Sequence, residues 1–300
     1  MKQFNSKIIL FGEYGILLGS KALVMPYDRF FGKLEKNIGP DSKIIDSNRT
    51  IRKLIPYLAS IQMDLTNKMN IEELKFDLNQ GAYFNSNIPN NYGLGSSGSL
   101  CAALYDRYTE AIPKPDKFSL ANSRKDLSLI ESFFHGKSSG TDPLCAWYNK
   151  PLIVSKIETG FANMNSVCDT SVFLIDTLQT GSTLEMVNLF KRKWEDQDFL
   201  FNIMNRYIPL NNRCIDYFLK DHGDFEENIF ELSYMQYEMF NYMIPAKAQP
   251  AWLYGLQSAL FNLKLCGSGG GGFLLGFTKK LKETIAYFNE RNIPILKVDI

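Results

Sequence analysis

The segment Gly93-Leu94-Gly95-Ser96-Ser97-Gly98-Ser99 constrains this chain more than any other, because it runs directly into an apolar stretch with helical spacing, Leu100 to Tyr108. Its glycines let the backbone adopt positive φ and approach a bulky anion closely, so that successive N–H groups can converge on one point. A helix starting there adds the positive end of its dipole. The hydroxyls of Ser96, Ser97 and Ser99 can bind phosphate oxygens or a hard cation. No Gly-Lys-[Ser/Thr] follows, so this is not a Walker A loop. Taken alone, an ordinary Gly/Ser-rich start to a helix explains the segment equally well.

Three further segments can carry chemistry. Glu131-Ser-Phe-Phe-His-Gly-Lys-Ser-Ser-Gly-Thr-Asp142 sets one carboxylate at a helix end and another in a loop. Phosphoryl transfer needs oxygens for magnesium and a carboxylate to orient the attacking hydroxyl. Glu131 suits the first task and Asp142 the second; a solvated Glu and a turn-capping Asp before Pro143 are the alternative. Cys266-Gly-Ser-Gly-Gly-Gly-Gly-Phe273 joins two apolar runs, and five glycines in six positions imply a backbone pressed against a ligand or another loop. Lys7 and Glu13 bracket the first apolar run. A lysine there can stabilise a developing alkoxide, or simply charge a strand edge. His135, beside Phe133 and Phe134, reads as structural.

The surrounding pattern predicts strands at 7–11, 22–24, 74–78, 151–157, 171–176, 263–266 and 273–278. It predicts helices at 47–62 (with Pro56 inside), 100–108, 119–134, 182–204, 226–243 and 280–290. The polar stretch FANMNSVCDT suggests a soft boundary near 163, giving domains 1–162 and 163–300. Residues 232–243 (LSYMQYEMFNYM) are apolar enough for core or for the face of a homodimer, with core the expected use.

Lys and Arg total 33 against 32 Asp and Glu, so no global field recruits nucleic acid or an anionic membrane. The five cysteines (Cys101, Cys145, Cys168, Cys214 and Cys266) form no C-x-x-C pair and read as reduced core residues. The opening MKQFNSKIILFGEYG reaches Glu13 before any long apolar run, which argues against a signal peptide or membrane span and makes the cytoplasm the expected compartment.

The order of these motifs carries more information than any one of them. Lys7-Ile-Ile-Leu-Phe-Gly-Glu-Tyr-Gly-Ile-Leu-Leu-Gly19, then GLGSS at 93–97, E-x3-HG-x2-SG-x-D at 131–142 and KLCGSGGGG at 264–272, together resemble the GHMP kinase superfamily across nearly the whole chain. Among its members the chain is most similar to mevalonate kinases, whose opening K-[IV]-x-L-x-G-E-H-x-x-V-x-x-G appears here with Tyr14 in place of the histidine. The resemblance implies an α+β, two-domain fold, with an N-terminal domain like domain 2 of ribosomal protein S5, a ferredoxin-like C-terminal domain and the active site in the cleft between them. It also implies ATP and Mg2+ as cofactors and transfer of the γ-phosphate to the primary hydroxyl of mevalonate. By the same resemblance Gly93, Leu94, Gly95, Ser96, Ser97, Gly98 and Ser99 form the phosphate loop, and Ser97 with Glu131 holds magnesium. Asp142 would be the base or orienting carboxylate, assisted by Lys7, while Glu13, Tyr14, Gly267 and Ser268 would lie on the substrate side. Tyr14, Ser6, Lys137-Ser138 and Ser268 depart from the family pattern, so another small hydroxylated acid or a sugar stays open as acceptor. A non-catalytic nucleotide-binding module is the remaining alternative.

Overall fold

The computed structural model describes residues 2–300 except 38, 40, 111–116, 157, 165–168 and 221–223, and omits the side chains of 117, 118 and 135. The side chain of His135 and the whole of Cys168 therefore lie outside the described residues. The chain divides into two compact units. One comprises 1–7, 25–89 and 94–152; the other comprises 8–24, 90–93 and 153–300.

The first unit contains the start of β1 (Phe4–Phe11) and most of β2 (Ala22–Lys36), followed by α1 (Ser42–Ser60), α2 (Ile71–Asn79) and β3 (Ala82–Ser86). It then adds α3 (Ser96–Tyr108), α4 (Lys117–His135) and α5 (Thr141–Tyr148). β3 pairs antiparallel with β2, Gly32 opposite Ser86 and Lys36 opposite Ala82. With β4 (Leu152–Val154) and β5 (Thr159–Phe161), these strands make a five-stranded sheet of order β1-β2-β4-β5, β3 lying on β2. Ile51, Leu54 and Leu58 of α1, Leu100 and Leu104 of α3, and Leu127 and Ile130 of α4 fill the core. Asp126 is fully buried in this unit, yet its carboxylate accepts from the N–H groups of Thr66 and Asn67, and from the Tyr105 hydroxyl at 3.1 Å. Such saturation is what allows a charge to sit in a core.

The segment 74–78, expected as a strand from its alternation, is the second half of α2. Leu74 and Leu78 are buried at i, i+4, and the Asn70 side chain caps the helix by accepting from the Glu73 N–H at 3.0 Å. A capped helix with Glu72 and Glu73 in its first turn outweighs a short alternation that also fits helical spacing. Asn70→Ala should lower stability by about 1 kcal/mol, read as a shift in urea midpoint with an unchanged slope.

The second unit holds the four-stranded antiparallel sheet β7-β8-β6-β9, formed by β6 (Ser171–Asp176), β7 (Asn262–Leu265), β8 (Phe273–Thr278) and β9 (Ile295–Val298). Its helices are α6 (Thr183–Lys193), α7 (Gln197–Asn202), α8 (Ile208–Lys220), α9 (Phe225–Met239), α10 (Gln249–Ser258) and α11 (Leu281–Asn289). The helix expected over 182–204 is broken: Asp196 caps α7 by accepting from the N–H groups of Asp198 and Phe199, so the chain restarts there. A π-helical turn, Ile203–Tyr207, then leads into α8. Phe11, Phe218, Phe225 and Phe277 interlock in the core, with Phe11 stacked on Phe277 at 5.5 Å. In the 232–243 stretch, Leu232, Ser233, Gln236, Phe240 and Met243 are buried, whereas Tyr234 is 49% exposed. Core packing is therefore its main use. Among the described residues, no helix is long and apolar enough to cross a membrane.

Candidate active site

In the first unit, the chain brings Lys7, the start of α3, Glu131 and Asp142 into one cluster. α3 begins at Ser96, inside the Gly/Ser segment, with Gly95 at its N-cap in the left-handed region (φ 74°). A Cβ on Gly95 would lie 3.0 Å from Lys7 Cγ and 3.4 Å from Asp142 Oδ2, so a side chain here would be strained by the positive φ and would press on Lys7. Gly98, one turn on, packs against α5; a Cβ there would fall 2.8 Å from the Pro143 nitrogen and 2.9 Å from Asp142. The two glycines thereby set the first turns of α3 and α5 side by side. The first N–H groups of a helix have no partner within it, so two positive helix ends converge here.

Lys7 sits within β1, its side chain only 5% exposed, and its backbone N–H donates to the Leu94 carbonyl at 3.0 Å. Its ammonium lies 3.1 Å from Asp142 Oδ2, and Asp142 occupies the first turn of α5 with its side chain 31% exposed. Asp142 is therefore reachable by a small molecule, while Lys7 lies buried beside it. A burial this deep rules out the strand-edge reading of Lys7.

Glu131, near the end of α4, is buried. Its Oε1 accepts from Ser97 Oγ at 3.2 Å, and its Oε2 accepts a short hydrogen bond from Ser138 Oγ. Burial pushes its pKa up to about 7, and the nearby Asp142 charge adds to the rise, against the hydrogen bonds of Ser138 and Ser97 and the charge of Lys7. Two carboxylates and a hydroxyl beside two helix N-termini suit a hard divalent cation together with phosphate oxygens. No group of three or more His, Cys, Asp or Glu side chains forms a cage among the described residues. The Ser97 hydroxyl and the Glu131 carboxylate offer the few protein oxygens that magnesium would take before completing its shell from phosphates and water.

A pH effect follows directly. The folded pKa lies above the ordinary 4.5, so the protonated form favours the fold, and Glu131's contribution to stability falls as pH rises from 4.5 through about 7. Cation binding needs the ionised form. Adding Mg2+ and AMPPNP at pH 7 should therefore release more protons than the nucleotide alone releases on binding Mg2+, and Glu131→Gln should remove that excess. Calorimetry in two buffers of different ionisation enthalpy measures it; release identical in Glu131→Gln would refute the assignment.

Other members of the Gly/Ser segment have different surroundings. Leu94 is buried and offers its backbone only. The Ser99 hydroxyl is fully buried and donates to the Phe4 carbonyl at 2.6 Å, so it ties α3 to β1. Gly93 belongs to the second unit, next to the Cys266 carbonyl.

The second unit contains Glu13, Tyr14, Gly267 and Ser268. The Glu13 side chain is 1% exposed, with Oε1 2.5 Å from the ammonium of Lys264, itself fully buried. Lys264 also donates to the Leu265 carbonyl at 2.7 Å, and Glu13 Oε2 makes no hydrogen bond. Burial raises the Glu13 pKa, with Lys264 pulling the other way. Tyr14 has φ 58° and donates its single O–H to the Ser268 carbonyl at 2.5 Å; its ring packs on Phe190 at 4.6 Å. Burial drives its hydroxyl pKa far up. Ser268 Oγ meets Thr183 Oγ1 at 3.2 Å. The glycine run is gripped by neighbouring loops. Gly270 N–H donates to the Met243 carbonyl, Gly272 N–H to the Gln179 carbonyl, and Gln179 Nε2 to the Gly270 carbonyl. For this stretch the close neighbour inferred from the glycines is another loop.

Sequence reasoning singled out neither Ser138 as a partner of Glu131 nor Lys264 as the partner of Glu13. The short spacing of Ser138 from Glu131 was available as a signal; for Lys264, 251 residues from Glu13, none was.

Compared with protein-family models and with curated proteins, the sequence matches none. Solved structures do match. The mevalonate kinase of Methanococcus jannaschii aligns over 100% of this chain and 97% of its own, with TM-score 0.67 and 18% identity. The L. major mevalonate kinase in complex with R-mevalonate aligns over 98% and 94%, with TM-score 0.67 and 16% identity. The Streptococcus pneumoniae phosphomevalonate kinase, in complex with phosphomevalonate and AMPPNP, aligns over 99% of both chains, with TM-score 0.64 and 13% identity. The chain has the two-domain α+β fold of the GHMP kinases. Within that fold its neighbours include mevalonate and phosphomevalonate kinases.

Proposed function

We propose that this chain is an ATP-dependent, magnesium-requiring kinase of the GHMP superfamily that phosphorylates a hydroxyl of a small molecule, with the primary hydroxyl of mevalonate as the acceptor. The observation that carries this reading is the Lys7–Asp142 pair, 3.1 Å apart at the foot of the Gly95–Ser97 turn and next to the Ser97–Glu131 contact.

Phosphoryl transfer asks a protein mainly for positioning and charge. The first turn of α3, Gly95 to Ser99, holds the phosphates at its positive end. Asp142 accepts a hydrogen bond from the acceptor hydroxyl and takes its proton as the new bond to the γ-phosphorus forms and the bond from that phosphorus to the β-phosphate's bridging oxygen breaks, with ADP as the leaving group. Lys7 keeps Asp142 in place and lowers the cost of negative charge on the attacking oxygen. Ser97 and Glu131 would hold magnesium, which when bound supplies positive charge against the β- and γ-phosphate oxygens. Glu13, Tyr14, Gly267 and Ser268 are assigned to the acceptor side, and the cytoplasm is the proposed compartment.

One observation favours a second acceptor, another small hydroxylated acid or a sugar. The Tyr14 O–H is already donated to Ser268, so only its oxygen is left to accept from a ligand. ADP release assayed against mevalonate, related hydroxy acids and hexoses, with and without magnesium, tests both readings. Mevalonate-dependent and magnesium-dependent release is expected. A preference of about a hundredfold for a sugar (roughly 2.7 kcal/mol in transition-state binding) would move the assignment to that sugar. Tight ATP binding without turnover on any acceptor would favour a non-catalytic module.

A further inference from the structure

We infer that Ser138 is a positioning residue that sets which divalent cation the Ser97–Glu131 pair accepts, favouring magnesium over calcium. The inference rests on the kinase reading above. Both oxygens of the buried Glu131 carboxylate are engaged, Oε1 by Ser97 and Oε2 by Ser138. The Ser138 hydroxyl has one proton to give, and its direction is fixed: the Gly140 N–H donates into the same oxygen at 3.0 Å, leaving the proton for Oε2. The backbone of Ser138 is held on both sides. Its N–H donates to Ser132 Oγ at 3.1 Å, and its carbonyl accepts from Ser128 Oγ at 2.7 Å. Ser132 Oγ in turn donates to the Ser128 carbonyl at 2.7 Å, so both anchors belong to α4, the helix that carries Glu131.

Ser138 thereby withholds Oε2 through the shorter, directionally fixed bond, whereas the longer contact of Ser97 with Oε1 joins the two atoms that would meet a cation together. Calcium gathers six to eight oxygens and commonly takes both oxygens of one carboxylate, whereas magnesium is content with few protein oxygens plus phosphate and water. A carboxylate with one oxygen tied back is matched to the second ion. Loss of the Ser138 hydroxyl frees Oε2 and removes that discrimination.

The test is competition for Mn2+ in the complex of the protein with AMPPNP, followed by electron paramagnetic resonance as Mg2+ or Ca2+ displaces it. Ser138→Ala should lower the Mg2+/Ca2+ affinity ratio about tenfold, Ser138→Thr should restore it, and Ser97→Ala should weaken both ions alike. Ser138→Cys, similar in size but a weak donor, should give an intermediate ratio and carries the test if the alanine variant does not fold. An unchanged ratio in either folded variant overturns the role of Ser138 and leaves the kinase reading standing. Mn2+ uptake indifferent to Ser97→Ala overturns both.

Discussion

Asp142→Ala should reduce turnover by about three orders of magnitude while leaving nucleotide affinity within a few-fold of the parent. The expectation comes from two features of the cluster. Asp142 is the one carboxylate there with substantial exposure, since its neighbour Glu131 is buried and hydrogen-bonded on both oxygens. It also lies beside Lys7, whose ammonium would face the phosphates with one negative neighbour fewer, so ATP binding should hold or tighten. Asp142→Asn separates charge from shape: it keeps a group of the same size but accepts no proton, and should be nearly as inactive as alanine. Steady-state kinetics with calorimetric AMPPNP binding decides the matter, and near-normal turnover in either variant would remove Asp142 from the chemistry.

The second large effect is on stability. Lys264→Met should cost roughly 3–5 kcal/mol, because it leaves the Glu13 carboxylate buried without its counter-charge. Glu13 Oε2 makes no hydrogen bond, and the backbone N–H groups of Glu13 and Gly267, which also favour the charged carboxylate, are neutral and replace only part of the ammonium's effect. The cost should grow with pH. Burial places the folded pKa of Glu13 above 4.5, so the neutral acid is tolerated at low pH and the penalty mounts as the pH climbs past that value. Replacing both residues, Glu13→Leu with Lys264→Met, should recover much of the loss, since an apolar pair in place of a buried ion pair is often neutral or better. Urea denaturation of the two singles and the double measures the coupling; simple additivity of the two losses would show that the pair does not act as a unit.

Much of the first unit's cluster was legible because its chemistry is local. Gly95 and Gly98 mark a tight helix start, and Asp142 with Glu131 falls within one short segment. The strand at 74–78 was misread because four or five residues of alternation also satisfy i, i+4 spacing, and the Asn70 cap decides between them. β3 and β9 escaped notice because their burial is partial: Ser86 and Asn85 are exposed, and in β9 Val298 is buried while Lys297 is exposed. The Glu13–Lys264 pair was invisible for a different reason. Nothing local distinguishes a lysine in a strand at the surface from one whose partner lies near the other end of the chain.

The interleaving of the two units bears on how the chain is made. Residues 8–24 are made well before the residues they pack with: Phe11 stacks on Phe277, and Glu13 closes on Lys264. The second unit therefore cannot complete its core before residues 264–277 have been made, and the run that carries Phe11 waits, apolar, until then. A fragment beginning at 163 would leave Phe277 and Lys264 without those partners. Contacts of such long sequence separation make the closing of the second unit's core a slow step of folding.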